Sequence, residues 1–262
     1  MSVIEAFILG LIQGLTEFLP VSSSGHLELG HALFGIKSQS NLKFELVLHA
    51  ATVLSTLIVF RKDIIELITG LFKFKWDDNN KYIAMLLLSA IPAGIAGVLY
   101  EDKIEAMFTG NLLLLGIQFL FTALLLAIAF FKPSGNRKIN FLDAFILGIA
   151  QMVAIIPAIS RSGATIATGL IIGNERSGLA KFSFLMVIIP IVGALFMKAV
   201  SGDMINESTV ATIPMLVGFL AAFISGLLAC KWMINLVKKG KLIYFAIYCL
   251  VIGLFAIFAG CF

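Results

Sequence analysis

The chain of 262 residues has little charge, few cysteines and no segment that reads as a separate soluble domain. Charged residues make up 13% of it against 60% hydrophobic, and the mean hydropathy is +1.04. A water-soluble domain is nearer a quarter charged, so water is not this chain's main solvent. Its three cysteines, Cys230, Cys249 and Cys261, lie far apart in apolar runs. They have no metal-ligand spacing and their odd number gives no disulfide framework, so they read as small apolar packing residues. No basic face or stripe accompanies the net charge of +4, which argues against nucleic acid as a partner. A cleavable leader is not expected either. The first twenty residues lack a basic start, and Glu5, Gln13 and Glu17 interrupt the apolar run a leader needs.

What the chain does have is long apolar runs. Six of them, near 44–60, 82–100, 111–131, 182–200, 213–232 and 243–261, could each cross a bilayer, which takes roughly 20 helical residues. The charged segments between them, such as Arg61–Lys81, Lys132–Asn140 and 174–181, read as loops. Two further stretches do not read as spans. Residues 3–19 run into Pro20-Val-Ser-Ser-Ser-Gly-His26, and residues 141–156 run into Pro157-Ala-Ile-Ser-Arg-Ser-Gly163. Each is followed by a second short apolar stretch, 27–36 and 164–173. Proline with a serine-glycine cluster breaks a helix, and neither half is long enough to cross alone. Broken backbone at membrane depth is tolerated where protein or a wet cavity receives it. A re-entrant helical hairpin is therefore predicted at each place.

The two hairpins are copies. At a constant offset of 138, Ala6 to Gly10 repeats as Ala144 to Gly148, and Gln13, Ser22, Ser24 and Gly25 recur as Gln151, Ser160, Ser162 and Gly163. Lys43-Phe44 falls on Lys181-Phe182 at the same offset. This density of matches marks an internal duplication, about 1–131 and 139–262, within one membrane domain covering 1–262. Each repeat holds one hairpin, which returns to its starting side, and three spans. An odd number of crossings inverts the second copy, and inverted repeats bring their broken helices tip to tip near the midplane. The fold class expected is all-α and integral to the membrane: six transmembrane helices plus two re-entrant hairpins in an inverted repeat. The segments 61–81, 132–140, 174–181 and 231–241 hold 14 of the 19 Lys and Arg. The positive-inside rule makes them cytoplasmic and brings the first hairpin in from the outer side.

The tips carry the chemistry. The first offers Gln13, Glu17, Ser22, Ser23, Ser24 and His26, and the second Ser160, Arg161, Ser162 and Thr165. Gln13 and Glu17 are four apart and share a helical face. The serines precede helix starts, whose free N–H groups suit a phosphate. Arg161 is the most informative residue, because a guanidinium at bilayer depth costs roughly 3 kcal/mol or more and normally faces an anion or a cavity. Its planar fork matches phosphate oxygens in pairs. Two such seats suit a diphosphate better than one small anion. Glu17 could hold a divalent cation or act as a base, His26 could transfer a proton, and a serine could be the nucleophile. Glu45, one turn from His49, is a second carboxylate for a metal.

Each residue has a plainer reading. Glu17 could be a helix-end carboxylate, Ser22, Ser23 and Ser24 helix caps, and Glu45 a headgroup-level acid. Arg161 could be a structural bridge to Glu17. His31 and His49 read as satisfied polar residues, and His31 is left out of the site.

Gln13-Gly14-Leu15-Thr16-Glu17-Phe18-Leu19-Pro20-Val21-Ser22-Ser23-Ser24-Gly25-His26 resembles the signature of the undecaprenyl-diphosphate phosphatase family, the bacitracin-resistance membrane phosphatases. Pro157 to Thr165 resembles the family's second signature, and Phe44-Glu45 and Phe182-Ser183-Phe184 resemble lesser ones. The resemblance runs the length of the chain. It implies removal of one phosphate from undecaprenyl diphosphate, regenerating the carrier lipid for cell-wall synthesis, in a multi-pass protein of the bacterial inner membrane. It further implies a divalent cation, Mg2+ or Ca2+. It carries catalytic roles onto Glu17, Ser23, His26 and Arg161. Gln13, Ser22, Ser24, Ser160, Ser162 and Thr165 are expected to bind substrate, and Glu17 and Glu45 to bind the metal. The family often has glutamate where Gln13 stands, which weakens a two-carboxylate metal site on that helix, and usually glycine where Ala158 stands. The rival reading is a flippase or transporter of a polyprenyl phosphate or another organic anion, since inverted repeats with broken helices are also a transporter architecture. Oligomeric state is open, a homodimer included.

Overall fold

The computed structural model describes residues 1–34, 42–72, 75–107, 110–133, 135–200 and 210–261. The expected stretch 27–36 and the segments 61–81 and 132–140 each run into residues outside this set. The elements in chain order are α1 (Val3–Phe18), α2 (Ser23–Phe34), α3 (Leu42–Val59), α4 (Arg61–Leu71), α5 (Asp78–Leu99), α6 (Glu101–Glu105) and α7 (Leu112–Phe131). The second half has α8 (Phe141–Val153), α9 (Arg161–Ile171), α10 (Arg176–Met186), α11 (Ile188–Val200), α12 (Thr212–Lys238) and α13 (Ile243–Cys261). Among the described residues five helices are long and apolar enough to cross a membrane: α5, α7, the α10–α11 unit, α12 and α13. The pair α3–α4, bent by 77°, makes a sixth.

Solvent preference is turned inside out. Leu87, Ile91, Ile95 and Val98 form an exposed apolar stripe on α5, as do Ile213, Leu216, Leu220, Ile224 and Leu228 on α12. Gln13, Glu17, Thr52, Ser89, Gln118, Ser160 and Ser183 are buried. Such a surface would aggregate in water and is stable against lipid tails.

The two predicted hairpins are present as α1–α2 and α8–α9. Both first helices open with a capping box, Ser2 with Glu5 and Asn140 with Asp143, so the repeated acid does the same work in each copy. The second hairpin is tied shut at its base. Arg137 N–H bonds Gly173 O at 3.3 Å, Glu175 N–H bonds Arg137 O at 2.9 Å, and Asp143 accepts from both Arg137 (2.8 Å) and Asn174 (3.0 Å). Entry and exit of the chain thus lie together, which is what makes the hairpin re-entrant.

The packing pairs corresponding helices of the two halves. α1 of the first repeat lies along α12 of the second, and α8 lies along α5. The repeated glycine explains how closely. A Cβ on Gly10 would stand 2.4 Å from Gly218 O, and one on its copy Gly148 would stand 2.6 Å from Ser89 O. At the centre α7 crosses α13, with Gly116 and Gly253 against each other's backbone. Lipid gives helices no hydrophobic reason to associate, so small residues that let backbones touch supply the packing.

The structure corrects the loop assignments. Arg61–Leu71 is helix α4, because Ile64 and Leu67, one turn apart, pack on the core while Lys62 and Glu66 face out. It is an amphipathic helix lying across the end of a span, and Asp63 pairs with Lys181. Residues from Arg176 onward belong to α10, and α12 continues as helix to Lys238. In both, basic residues continue the helix, since long basic side chains can carry their charge away from an apolar stem.

Substituting Gly10 or Gly148 by alanine forces a helix off a backbone carbonyl and should cost about 1–3 kcal/mol. Gly94→Ala, where nothing lies within 4 Å of the added methyl, should gain about 0.5–1 kcal/mol of helix stability. Thermal unfolding in detergent should therefore show two lowered midpoints and one unchanged or raised; equal effects at all three would contradict the interlocked packing.

Candidate functional site

α1 ends at Phe18 because Pro20 cannot continue it, and α2 starts at Ser23. Between them Ser22 takes φ +66°, and its hydroxyl accepts the Gly25 N–H at 3.3 Å. At the other tip Ser160 caps α9, accepting the Gly163 N–H at 3.1 Å, and Ala158 takes φ +56°. Each tip thus holds one non-glycine residue in the left-handed region, at a cost of about 1 kcal/mol or more. The position where alanine replaces the expected glycine is one where the backbone does ask for glycine.

The tips meet. Ala158 N–H bonds Ser24 Oγ at 3.3 Å and Ser162 Oγ donates to Leu19 O at 3.0 Å. Gly25 leaves room for this, since a Cβ there would stand 2.9 Å from the Ala158 methyl and 2.7 Å from Phe119. Across the junction Arg161 Nη2 bonds Glu17 Oε1 at 2.5 Å, both side chains largely buried. Glu17 Oε2 accepts from Ser23 Oγ at 2.6 Å and from Gln13 Nε2 at 2.9 Å. One carboxylate therefore gathers a guanidinium, a hydroxyl and an amide from both repeats.

Two buried atoms in this cluster have no hydrogen-bond partner among the described residues: Arg161 Nη1 and Gln13 Oε1. Leaving a charged donor unsatisfied costs several kcal/mol, so an unpaired prong of a buried guanidinium points to a ligand. Beside it lies a narrow open cleft between α1, α3, α9 and α10–α11. Glu17, Arg161, Thr52 and Thr56 are its polar lining, and Phe18, Val53, Phe184, Val187 and Ile191 its apolar lining. A charged head and a greasy wall in one cleft suit an anionic lipid.

Of the predicted residues the structure brings Gln13, Glu17, Ser23 and Arg161 into one bonded cluster, with Ser24 and Ser162 tying the tips. Ser22 and Ser160 act as helix caps. Thr165 Oγ1 bonds Arg161 O at 2.9 Å and Ser183 Oγ at 2.6 Å, which holds α9 to α10. His26 points elsewhere. Its Nδ1 bonds Ser22 O at 2.7 Å and its Nε2 meets Tyr248 Oη at 2.7 Å, with the two rings stacked. A carbonyl only accepts, so the proton is on Nδ1 and Nε2 accepts from the tyrosine. Glu45 lies against His31, its Oε1 3.4 Å from Nδ1, with Glu28 as the neighbouring carboxylate.

Two participants were missed. His49 lies 3.0 Å from Gln13 Nε2 and 3.5 Å from Glu17 Oε2. A histidine within the apolar run 44–60 was the available signal. Tyr248 gave none, being one aromatic among many in a span.

Over residues 6–255 the chain matches the protein family described as Bacitracin resistance protein BacA. A protein of Bacteroides fragilis named undecaprenyl-diphosphatase is 53% identical over 97% of this chain and 96% of its own length. One of the same name from Bacteroides thetaiotaomicron is 54% identical over 97% of each chain, and one from Christiangramia forsetii 51% over 98% of each.

Breaking a buried ion pair by removing one partner costs about 3–5 kcal/mol, whereas replacing both by apolar groups is often neutral. Glu17→Leu should therefore lower the unfolding midpoint in detergent more than the double variant Glu17→Leu with Arg161→Leu. A double variant no more stable than Glu17→Leu would mean the two groups do not pair.

Proposed function

The chain belongs to the family of the bacitracin resistance protein BacA, and from that premise we propose that its two hairpin tips hydrolyse undecaprenyl diphosphate to undecaprenyl phosphate and inorganic phosphate. The observation that carries this reading is the free prong of Arg161, beside a carboxylate bonded to a hydroxyl. The diphosphate enters the cleft with its prenyl chain along the apolar wall. Arg161 Nη1 donates to a phosphate oxygen, and as the guanidinium turns onto the phosphate, Glu17 Oε1 is released. Ser23 Oγ attacks the terminal phosphorus while Glu17 Oε2 takes its proton, the pairing of nucleophile and base that covalent catalysis requires. The P–O bond to the bridging oxygen breaks, that oxygen takes the proton back from Glu17, and undecaprenyl phosphate leaves. Water, deprotonated by Glu17, then cleaves the phosphoserine and yields phosphate. Arg161 offsets the charge on the equatorial oxygens throughout. His26, with both nitrogens engaged, holds the Ser22 turn that positions Ser23.

A divalent cation, Mg2+ or Ca2+, fits as an ion shared with the substrate. Among the described residues no group of three or more His, Cys, Asp or Glu could cage a metal, but Gln13 Oε1 is a buried oxygen without a partner beside Glu17. Glu17 and Gln13 would hold the ion, which would supply positive charge to the phosphate oxygens, as such ions do when they share one carboxylate with substrate. Glu45, on His31, takes no part in this assignment. Both tips come from one chain, so the reading needs no second copy. With the basic segments cytoplasmic, the cleft serves the outer leaflet of a bacterial inner membrane and returns the carrier lipid to cell-wall synthesis.

Phosphate release from undecaprenyl diphosphate by detergent-purified protein tests the proposal. Arg161→Lys keeps the charge but loses the fork, and turnover should fall about 10²-fold or more. Glu17→Gln should abolish release while the uncleaved lipid still binds, and a chelator should lower the wild-type rate. A wild type that moves the lipid but releases no phosphate would favour the transporter reading, and undiminished hydrolysis by Glu17→Gln would sink the mechanism.

A further inference from the structure

The Gln13 amide has two N–H donors and one carbonyl oxygen. Its Nε2 lies 2.9 Å from Glu17 Oε2 and 3.0 Å from His49 Nδ1, while Oε1 is buried with no partner. Turning the amide over would press its oxygen against a carboxylate oxygen, and two acceptors repel. The nitrogen therefore faces Glu17, and both its N–H groups are engaged, one by the carboxylate and one by the imidazole. His49 Nδ1 must then be the acceptor, so the ring proton is on Nε2. A proton on Nδ1 would meet the amide N–H head-on at 3.0 Å, whereas the contact to Glu17 at 3.5 Å is too long to offset that clash. His49 sits on α3, and its side chain is 28% exposed, so it reaches the cluster from a third element without being locked in the core.

We propose that His49 is a positioning residue for the hydrolysis: by accepting from Gln13 it fixes the amide with its nitrogen on Glu17 and its oxygen turned into the site. The inference rests on the reading of Glu17 and Gln13 as the reaction centre. It is distinct from the use of an imidazole as a proton carrier. His49 acts through a neutral lone pair, and its partner is the amide rather than the substrate. The sequence motif at the first tip gives no place to this residue. The geometry does, because without an acceptor at the Nδ1 position one N–H of a buried amide is left unpaired and Glu17 alone holds the amide in place.

Asparagine and glutamine separate this role from a generic polar one. The Oδ1 of asparagine falls where Nδ1 stood, whereas the Oε1 of glutamine falls nearer Nε2. His49→Leu and His49→Gln should each lower kcat about tenfold or more, as loss of an orienting partner does, with KM for the lipid little changed. His49→Asn should recover most of the loss. In a Gln13→Leu background, His49→Leu should add less than about a twofold effect, because the amide it orients is gone. Unfolding midpoints of all variants confirm that folded protein is compared. Losses that multiply in the Gln13→Leu background, or an asparagine variant as slow as the glutamine one, would overturn the proposal. Glu17→Gln in the same assay keeps the two readings apart. Should that variant still turn over, the reaction centre is misassigned; should it be inactive while His49→Leu and His49→Gln are unaffected, the positioning role alone fails.

Discussion

The ion pair between Glu17 and Arg161 is the constraint on which the rest depends. It joins the tips of two hairpins from the two halves of the chain, at 2.5 Å and largely out of water. A charge of either sign at this depth is unstable alone. Each hairpin carries one, so neither is satisfied until the tips meet. The ion pair is also incomplete, since Arg161 keeps an unbonded prong. A pair closed on both prongs would be a structural brace; one left open can exchange its partner for a phosphate. The same bond can therefore hold the fold together and stand ready for the anion.

Bringing the tips that close requires small residues along the way. Gly10 and Gly148 let α1 and α8 touch the backbones of α12 and α5, and Gly116 and Gly253 do so at the crossing of α7 and α13. Gly25 admits the Ala158 methyl at the junction itself. The tips are then fixed by backbone strain at Ser22 and Ala158 and by the bonds of Ser24 and Ser162 across the gap. The two hairpins are alike in fold but differ in chemistry. Glu17 matches Ile155 at the repeat offset and His49 matches Val187. Gln151, the copy of Gln13, is accordingly buried with neither end of its amide bonded. One repeat holds the carboxylate and its helpers, and the other contributes the arginine.

Much of this was legible in the residues because the bilayer permits so few solutions. Span length and helix breaks predicted the hairpins, and Gln13, Glu17, Ser23 and Arg161 came together as their motifs implied. The sequence did not show where the charged segments stay helical. Arg61–Leu71 folds as α4 because a span can bend and lie along the interface, a choice made by packing of Ile64 and Leu67. Side-chain direction was equally hidden. His26 stands three residues after Ser23, yet it turns to Tyr248 on α13, while His49, placed on another helix, turns to Gln13. Glu45 has the composition of a metal ligand but its partner is His31. These are contacts between elements distant in the chain, and no local pattern encodes them.

Contact between the two tips is the central claim, and cross-linking measures it most directly. Cysteines replacing Ser24 and Ala158, in a protein freed of Cys230, Cys249 and Cys261, would sit where Ser24 Oγ now lies 3.3 Å from Ala158 N. A protease site placed in residues 132–140 then allows the repeats to be cut apart. Mild oxidation should keep the two halves joined on a denaturing gel until reductant is added. Halves that separate without reductant, although each cysteine reacts with a thiol reagent, would show that the hairpins do not meet.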